Sequence, residues 1–95
     1  MDLLQGQMEF FLQDSPVLLA NMTQAITDGD AYQLQLAAHR LKGMLSRYAF
    51  TRAADVALEL ENKGRAATLD GASELVDQLR PMVSQLASAM SEYVK

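Results

Sequence analysis

Apolar residues recur three or four positions apart along almost the whole chain. Leu34, Ala38, Leu41, Leu45 and Tyr48, for example, follow one another at intervals of four, three, four and three. Strict alternation is hard to find and β-branched residues are sparse, so helices rather than strands are the way this chain can bury its apolar surface. With 95 residues, 49% of them hydrophobic, and only two prolines and five glycines, one modest core is expected in a single domain spanning 1–95. The fold class that follows is all-α: an up-down antiparallel four-helix bundle with a short extra N-terminal helix.

The punctuation divides that pattern. A short helix over about 3–13 presents Leu4, Met8, Phe11 and Leu12 on one side. Ser15 and Pro16 read as the cap and first position of a second helix, which buries Leu18, Leu19, Met22, Ala25 and Ile26 and stops near Asp28 and Gly29. Asp30 caps a third, in capping-box fashion with Gln33, running to about Tyr48. Thr51 caps a fourth, with Ala53, Val56, Ala57 and Leu60 inward and Lys63-Gly64 at its end. The last runs from about Asp70 to Val94 with Leu75, Leu79, Met82, Leu86, Met90 and Tyr93 inward, and Pro81 inside it predicts a bend rather than a break.

Cysteine is absent, which removes disulfides, thiolate metal sites and cysteine nucleophiles together, and a single histidine makes an all-protein zinc site improbable. Neither a metal nor a cofactor is called for. The longest uncharged stretch, Ser15 to Thr27, is too short to span a bilayer, and no basic residue precedes Arg40, so a secretory lead-in is lacking. A cytoplasmic location without membrane insertion is expected.

Net charge is −4, but its distribution carries more information than its sum. Residues 1–30 hold five acids and no base, residues 31–54 hold Arg40, Lys42, Arg47 and Arg52 with no acid, and residues 55–95 hold seven acids against four bases. The one histidine, His39, lies inside that positive island. It follows Ala38 of the apolar stripe by one residue, roughly 100° of helical rotation, and so stands at the edge of the core within reach of solvent. Taken alone, such a residue is an ordinary boundary histidine. Its neighbours change that: Lys42 and Gly43, three and four residues on, share its helical face. A phosphoryl group on the imidazole would meet an ammonium and, beside it, open space. Lys42 read blandly is a solvated surface lysine. Gly43 costs a helix about 1 kcal/mol relative to alanine, and either clearance for a partner or close packing of a neighbouring helix would account for it.

The string Ala38-His39-Arg40-Leu41-Lys42-Gly43 resembles the signature of histidine-containing phosphotransfer domains: a histidine, any residue, leucine, lysine and glycine in one helix. The similarity extends to Phe10 and Phe11 in an acidic first helix, Asp14-Ser15-Pro16, the Gly29-Asp30 turn and Leu60-Glu61, and so covers essentially the whole chain. It implies a bundle whose histidine accepts a phosphoryl group from an aspartate of one receiver domain and donates it to another. By that resemblance His39 is the accepting residue, Lys42 the phosphate-facing lysine and Gly43 the clearance glycine, while Glu61 falls where a polar residue often holds the imidazole. Such a partner on Nδ1 would fix the tautomer and leave Nε2 as nucleophile; the plainer reading of Glu61 is a surface carboxylate paired with Lys63, Arg65 or nothing. The chain departs from the family in Met44 and Leu45, where small residues are usual, and in Ala49 and Phe50, where a glycine and a small residue are common.

The resemblance further implies a phosphocarrier rather than an enzyme, a monomer whose partners are response-regulator receiver domains and a hybrid sensor kinase, with the receiver bringing the aspartate and the magnesium ion. Leu36, Arg40, Met44 and Arg47 would form the docking surface. A phosphorylation-silent helical adaptor or dimerisation bundle is the alternative, favoured if His39 were buried or its face covered. Nucleic-acid binding through Arg40, Arg47 and Arg52 is disfavoured by the acidic whole and by their scatter around the helix, and the GxxxxGK, GxSxG and HExxH motifs of conventional enzymes are missing.

Overall fold

The computed structural model describes residues 3–48 and 50–93, with side chains for 6, 8–48 and 50–92. Four helices follow in order: α1 Leu3–Asp28, α2 Ala31–Arg47, α3 Thr51–Arg65 and α4 Ala72–Tyr93. They pack as a ring of neighbours, α1 on α2, α2 on α3, α3 on α4 and α4 back on α1. Connections this short force antiparallel neighbours, so the all-α up-down four-helix bundle is as the periodicity predicts. No helix among the described residues is long and apolar enough to cross a membrane. The core is built from Phe11, Leu18, Met22, Leu34, Leu41, Leu45, Leu60 and Leu79 among others.

The extra N-terminal helix does not stand apart. The break expected at Asp14–Pro16 is absent, and α1 continues through Pro16. A proline inside a helix removes one backbone hydrogen bond and costs about 3 kcal/mol. Here Phe11, Ser15, Leu18 and Met22 are all buried at intervals of four, three and four, and a break would scatter that stripe. Packing therefore overrides the local signal. α4, by contrast, runs unbroken through Pro81 as expected, and begins at Ala72 rather than Asp70.

Gly29, at φ +69°, ends α1 as expected, and Asp30 caps α2 by accepting the Gln33 amide at 3.1 Å. Tyr48 caps the far end of α2 and is only partly buried, its ring edge-on to Phe11 with centroids 5.9 Å apart. Thr51 is the first residue of α3 and not its cap; Phe50 takes the cap position without a side-chain bond. Gly64 does not end α3 either. It lies within the helix, and the left-handed residue of the following turn is Ala67, at φ +56°. Ala49, Val94 and the side chains of Leu4 and Tyr93, invoked from the sequence, lie outside the described residues.

Gly64 has a different task. A Cβ there would stand 2.6 Å from the backbone nitrogen of Gln35 and 2.7 Å from the carbonyl oxygen of Ala31, so α2 and α3 cross with backbones nearly touching. The same two helices bury small residues, Ala37 and Ala38 on α2 and Ala54 and Ala57 on α3. That interface carries the histidine on one side and the glutamate on the other.

Candidate functional site

His39 projects from α2 just beyond the buried Ala37 and Ala38, and its side chain is 66% exposed. The helical geometry read from the apolar stripe predicts this placement. From α3, one helical turn before the Gly64 crossing, Glu61 reaches across the interface and lies 97% buried by side chain, since only 3% remains exposed. Its Oε2 is 2.8 Å from His39 Nδ1. On the same oxygen, Arg65 donates from a terminal guanidinium nitrogen at 3.0 Å, one turn along α3. Lys42 Nζ lies 2.7 Å from the other oxygen, Oε1, as an ion pair.

Burial alone would push the Glu61 carboxyl up, but the contacts with Lys42 and then His39 outweigh it and hold the group below its ordinary value of 4.5. Glu61 is therefore ionised at neutral pH and has no proton to give. A carboxylate only accepts, so the hydrogen in the His39–Glu61 bond sits on Nδ1. In the neutral imidazole that leaves Nε2, on the far edge of the ring, with its lone pair free toward solvent.

Of the two explanations open for Gly43 at the sequence level, close packing of a neighbouring helix is not what the structure has. A Cβ there would meet nothing within 4 Å, in contrast to Gly64, so the surface beside His39 is open and no helix packs on it. Leu36 is 45% exposed, and Arg40 and Arg47 are exposed on the same helix, whereas Met44 is packed partly against the core. Lys63, weighed as a partner for Glu61, instead donates to the Asp70 carbonyl at 2.7 Å and braces the turn after α3.

Two residues of this region were not singled out from the sequence. Tyr32 stands seven positions before His39, nearly two full turns, and is 64% exposed in line with it; the seven-residue spacing was the available signal. Arg65 entered only as one possible partner of a surface carboxylate. Its share in a buried carboxylate became visible once Glu61 was seen facing inward. Among the described residues no group of three histidine, cysteine or acidic side chains is placed to hold a metal ion.

The arrangement can do one kind of chemistry well: present a neutral imidazole nitrogen to an electrophile from a partner, with a buried carboxylate to balance positive charge appearing on the ring. The family profile described as Hpt domain matches residues 8–89. Among solved structures, the crystal structure of histidine-containing phosphotransfer protein B (HptB) from Pseudomonas aeruginosa PAO1 superposes with a TM-score of 0.88 at 26% identity, covering 95% of this chain and 78% of that one. Comparison with curated protein sequences gives no match.

Proposed function

The chain belongs to the Hpt domain family, a histidine phosphotransfer module of phosphorelays, and from that premise we propose that His39 is its phosphoryl-accepting residue. The observation that carries this is the exposed imidazole whose Nδ1 is tied to a buried, ionised Glu61. The Nε2 lone pair attacks the phosphorus of a receiver's aspartyl phosphate. The nitrogen–phosphorus bond forms as the oxygen–phosphorus bond breaks, and the aspartate leaves with the electron pair. The hydrogen stays on Nδ1, so the ring becomes a phosphoimidazolium whose positive charge faces Glu61. The reverse sequence hands the group to a second receiver.

Lys42 and Gly43 serve the phosphoryl group, the first as a charge-assisted donor and the second as clearance. Leu36, Arg40, Met44 and Arg47 dock the receiver, with the basic residues steering it by its acidic pocket. The receiver supplies the catalytic aspartate and magnesium, which makes this chain a carrier and not an enzyme. It works as a single domain over 1–95, a cytoplasmic monomer between a hybrid sensor kinase and response-regulator receivers. The silent-adaptor alternative calls for a buried histidine or a covered face, and the exposure of His39 and the open space at Gly43 speak against both.

Incubation with a phosphorylated receiver tests the reading. Acid-labile phosphate should appear on the chain and vanish in His39→Gln. Labelling that survives the substitution would refute the role of His39.

A further inference from the structure

The two flanks of α2 face different neighbours. Gln33 shares a groove with Asn21, Gln24 and Asp28 of α1, and Arg40, Met44 and Arg47 follow it at spacings of seven, eleven and fourteen residues, so these docking residues lean toward α1. His39 and Lys42 lean the other way, onto Glu61 of α3. The imidazole is thus held at the α2–α3 seam, and a partner centred on Nε2 covers α3 as well as α2.

Leu58 stands where that cover falls. It precedes Glu61 by three residues, about 4.5 Å along the α3 axis, and is rotated from it by roughly 60°. Ala57 and Gly64, on the inner side of Glu61, are buried, whereas Leu58 and Arg65 lie on the outer side and Leu58 is 40% exposed. Gly64 meets Ala31 and Gln35 while Glu61 meets His39 and Lys42, so α3 runs antiparallel to α2 and carries Leu58 toward the half of α2 that holds Gly43. From the α3 side it borders the open patch there.

A single exposed leucine is ordinary; this one is set apart by position. Among the described residues the exposed large apolar side chains are Phe10, Val17, Tyr32, Leu36 and Leu58, all on α2 or its two neighbours and none on α4, which lies diagonally opposite α2. A specific interface covers about 800 Å² of each partner, equivalent to a disc of roughly 16 Å radius, so a receiver that brings phosphorus to Nε2 also lies over Leu58. An apolar side chain opposite Leu58 completes its burial, whereas a charged one is stripped of water without a partner.

Resting on the phosphotransfer reading, we propose that Leu58 is a specificity-determining residue of the receiver interface: it takes the docking surface across the seam onto α3 and favours receivers that present an apolar side chain opposite it. Its part is in binding the receiver, not in the chemistry at Nε2.

The test uses a phosphorylated receiver domain that labels the wild-type chain and, beside it, phosphoramidate, a small donor that needs no receiver. With the small donor Nε2 attacks phosphorus, the new nitrogen–phosphorus bond forms, and the donor's own breaks with release of ammonia. Phosphohistidine formation is followed against donor concentration for the wild-type chain, Leu58→Ala, Leu58→Gln, Leu58→Met and, as a control on α4, Gln78→Ala at an exposed position, with folding checked by urea unfolding. Leu58→Ala and Leu58→Gln should raise the half-saturating receiver concentration about five- to tenfold and leave the limiting rate and the phosphoramidate rate within about twofold of wild type, the signature of lost binding rather than lost chemistry. Leu58→Met should restore most of the affinity, and Gln78→Ala should match wild type. An unchanged half-saturating concentration in both Leu58→Ala and Leu58→Gln overturns the proposal, as does an equal loss in Gln78→Ala. A phosphoramidate rate that falls as far as the receiver rate also overturns it, because Leu58 would then act by supporting Glu61. A wild-type chain that gains no phosphate on His39 from either donor overturns the phosphotransfer reading itself, an outcome distinct from the others.

Discussion

His39 Nδ1 and Glu61 Oε2 lie 2.8 Å apart although 22 residues separate them along the chain, and of the two it is the carboxylate that is buried and the imidazole that is open to solvent. Removing the charge while keeping the shape isolates what this pair does. Glu61→Gln should slow phosphoryl uptake roughly tenfold, since hydrogen bonds to a charged group contribute about 1.5–3 kcal/mol. Stopped-flow or quench measurements of phosphohistidine formation decide it, and an unchanged rate would mean the contact does nothing for transfer.

The same residue makes stability depend on pH. The folded-state carboxyl titrates below its ordinary value, so the unfolded chain binds the proton more readily. Its contribution is therefore fully present above the ordinary carboxylate range and is lost as pH falls through the lowered folded value. Urea unfolding between neutral pH and pH 3 should show the stability difference between wild type and Glu61→Gln shrinking as pH falls. A difference that stays constant would contradict the ionised, compensated Glu61.

Gly64 should be intolerant of the smallest addition. On helix propensity alone Gly64→Ala would stabilise α3 by about 1 kcal/mol. The Cβ would instead meet Gln35 and Ala31 backbone at 2.6–2.7 Å, where no side chain can swing aside. A net loss of about 1–3 kcal/mol is expected, together with slower phosphoryl uptake as α2 and α3 are forced apart and Glu61 is drawn off His39. Chemical denaturation gives the sign.

Gly43 should behave oppositely. With open space at its Cβ, Gly43→Ala should raise stability by up to about 1 kcal/mol. Gly43→Leu, which puts bulk beside the imidazole, should cut transfer from a receiver far more than transfer from phosphoramidate. Equal losses with both donors would argue against clearance for a protein partner.

These contrasts also mark what could be read in the chain beforehand. The helical class, the Asp30 cap, the inward stripe of α2 and the edge position of His39 follow from periodicity, which is local. Gly43 stayed open between two readings and Gly64 was read as a helix end, because whether a missing side chain leaves space or permits contact depends on the helix opposite. Nor did Pro16 yield to local rules: Phe11, Ser15, Leu18 and Met22 bury one continuous stripe through it. Glu61 was legible as a residue but not as a buried one. Its burial comes from the close crossing at Gly64, and its share in Arg65 comes with it.

The nitrogen that carries the phosphoryl group is the most direct test of the site. Long-range proton–nitrogen spectra of the phosphorylated, uniformly nitrogen-15-labelled chain distinguish the two ring positions of His39. The Glu61 bond at Nδ1 predicts phosphorus on Nε2 and a retained hydrogen on Nδ1; phosphorus on Nδ1, or a His39 ring unchanged while phosphate accumulates elsewhere, would contradict it.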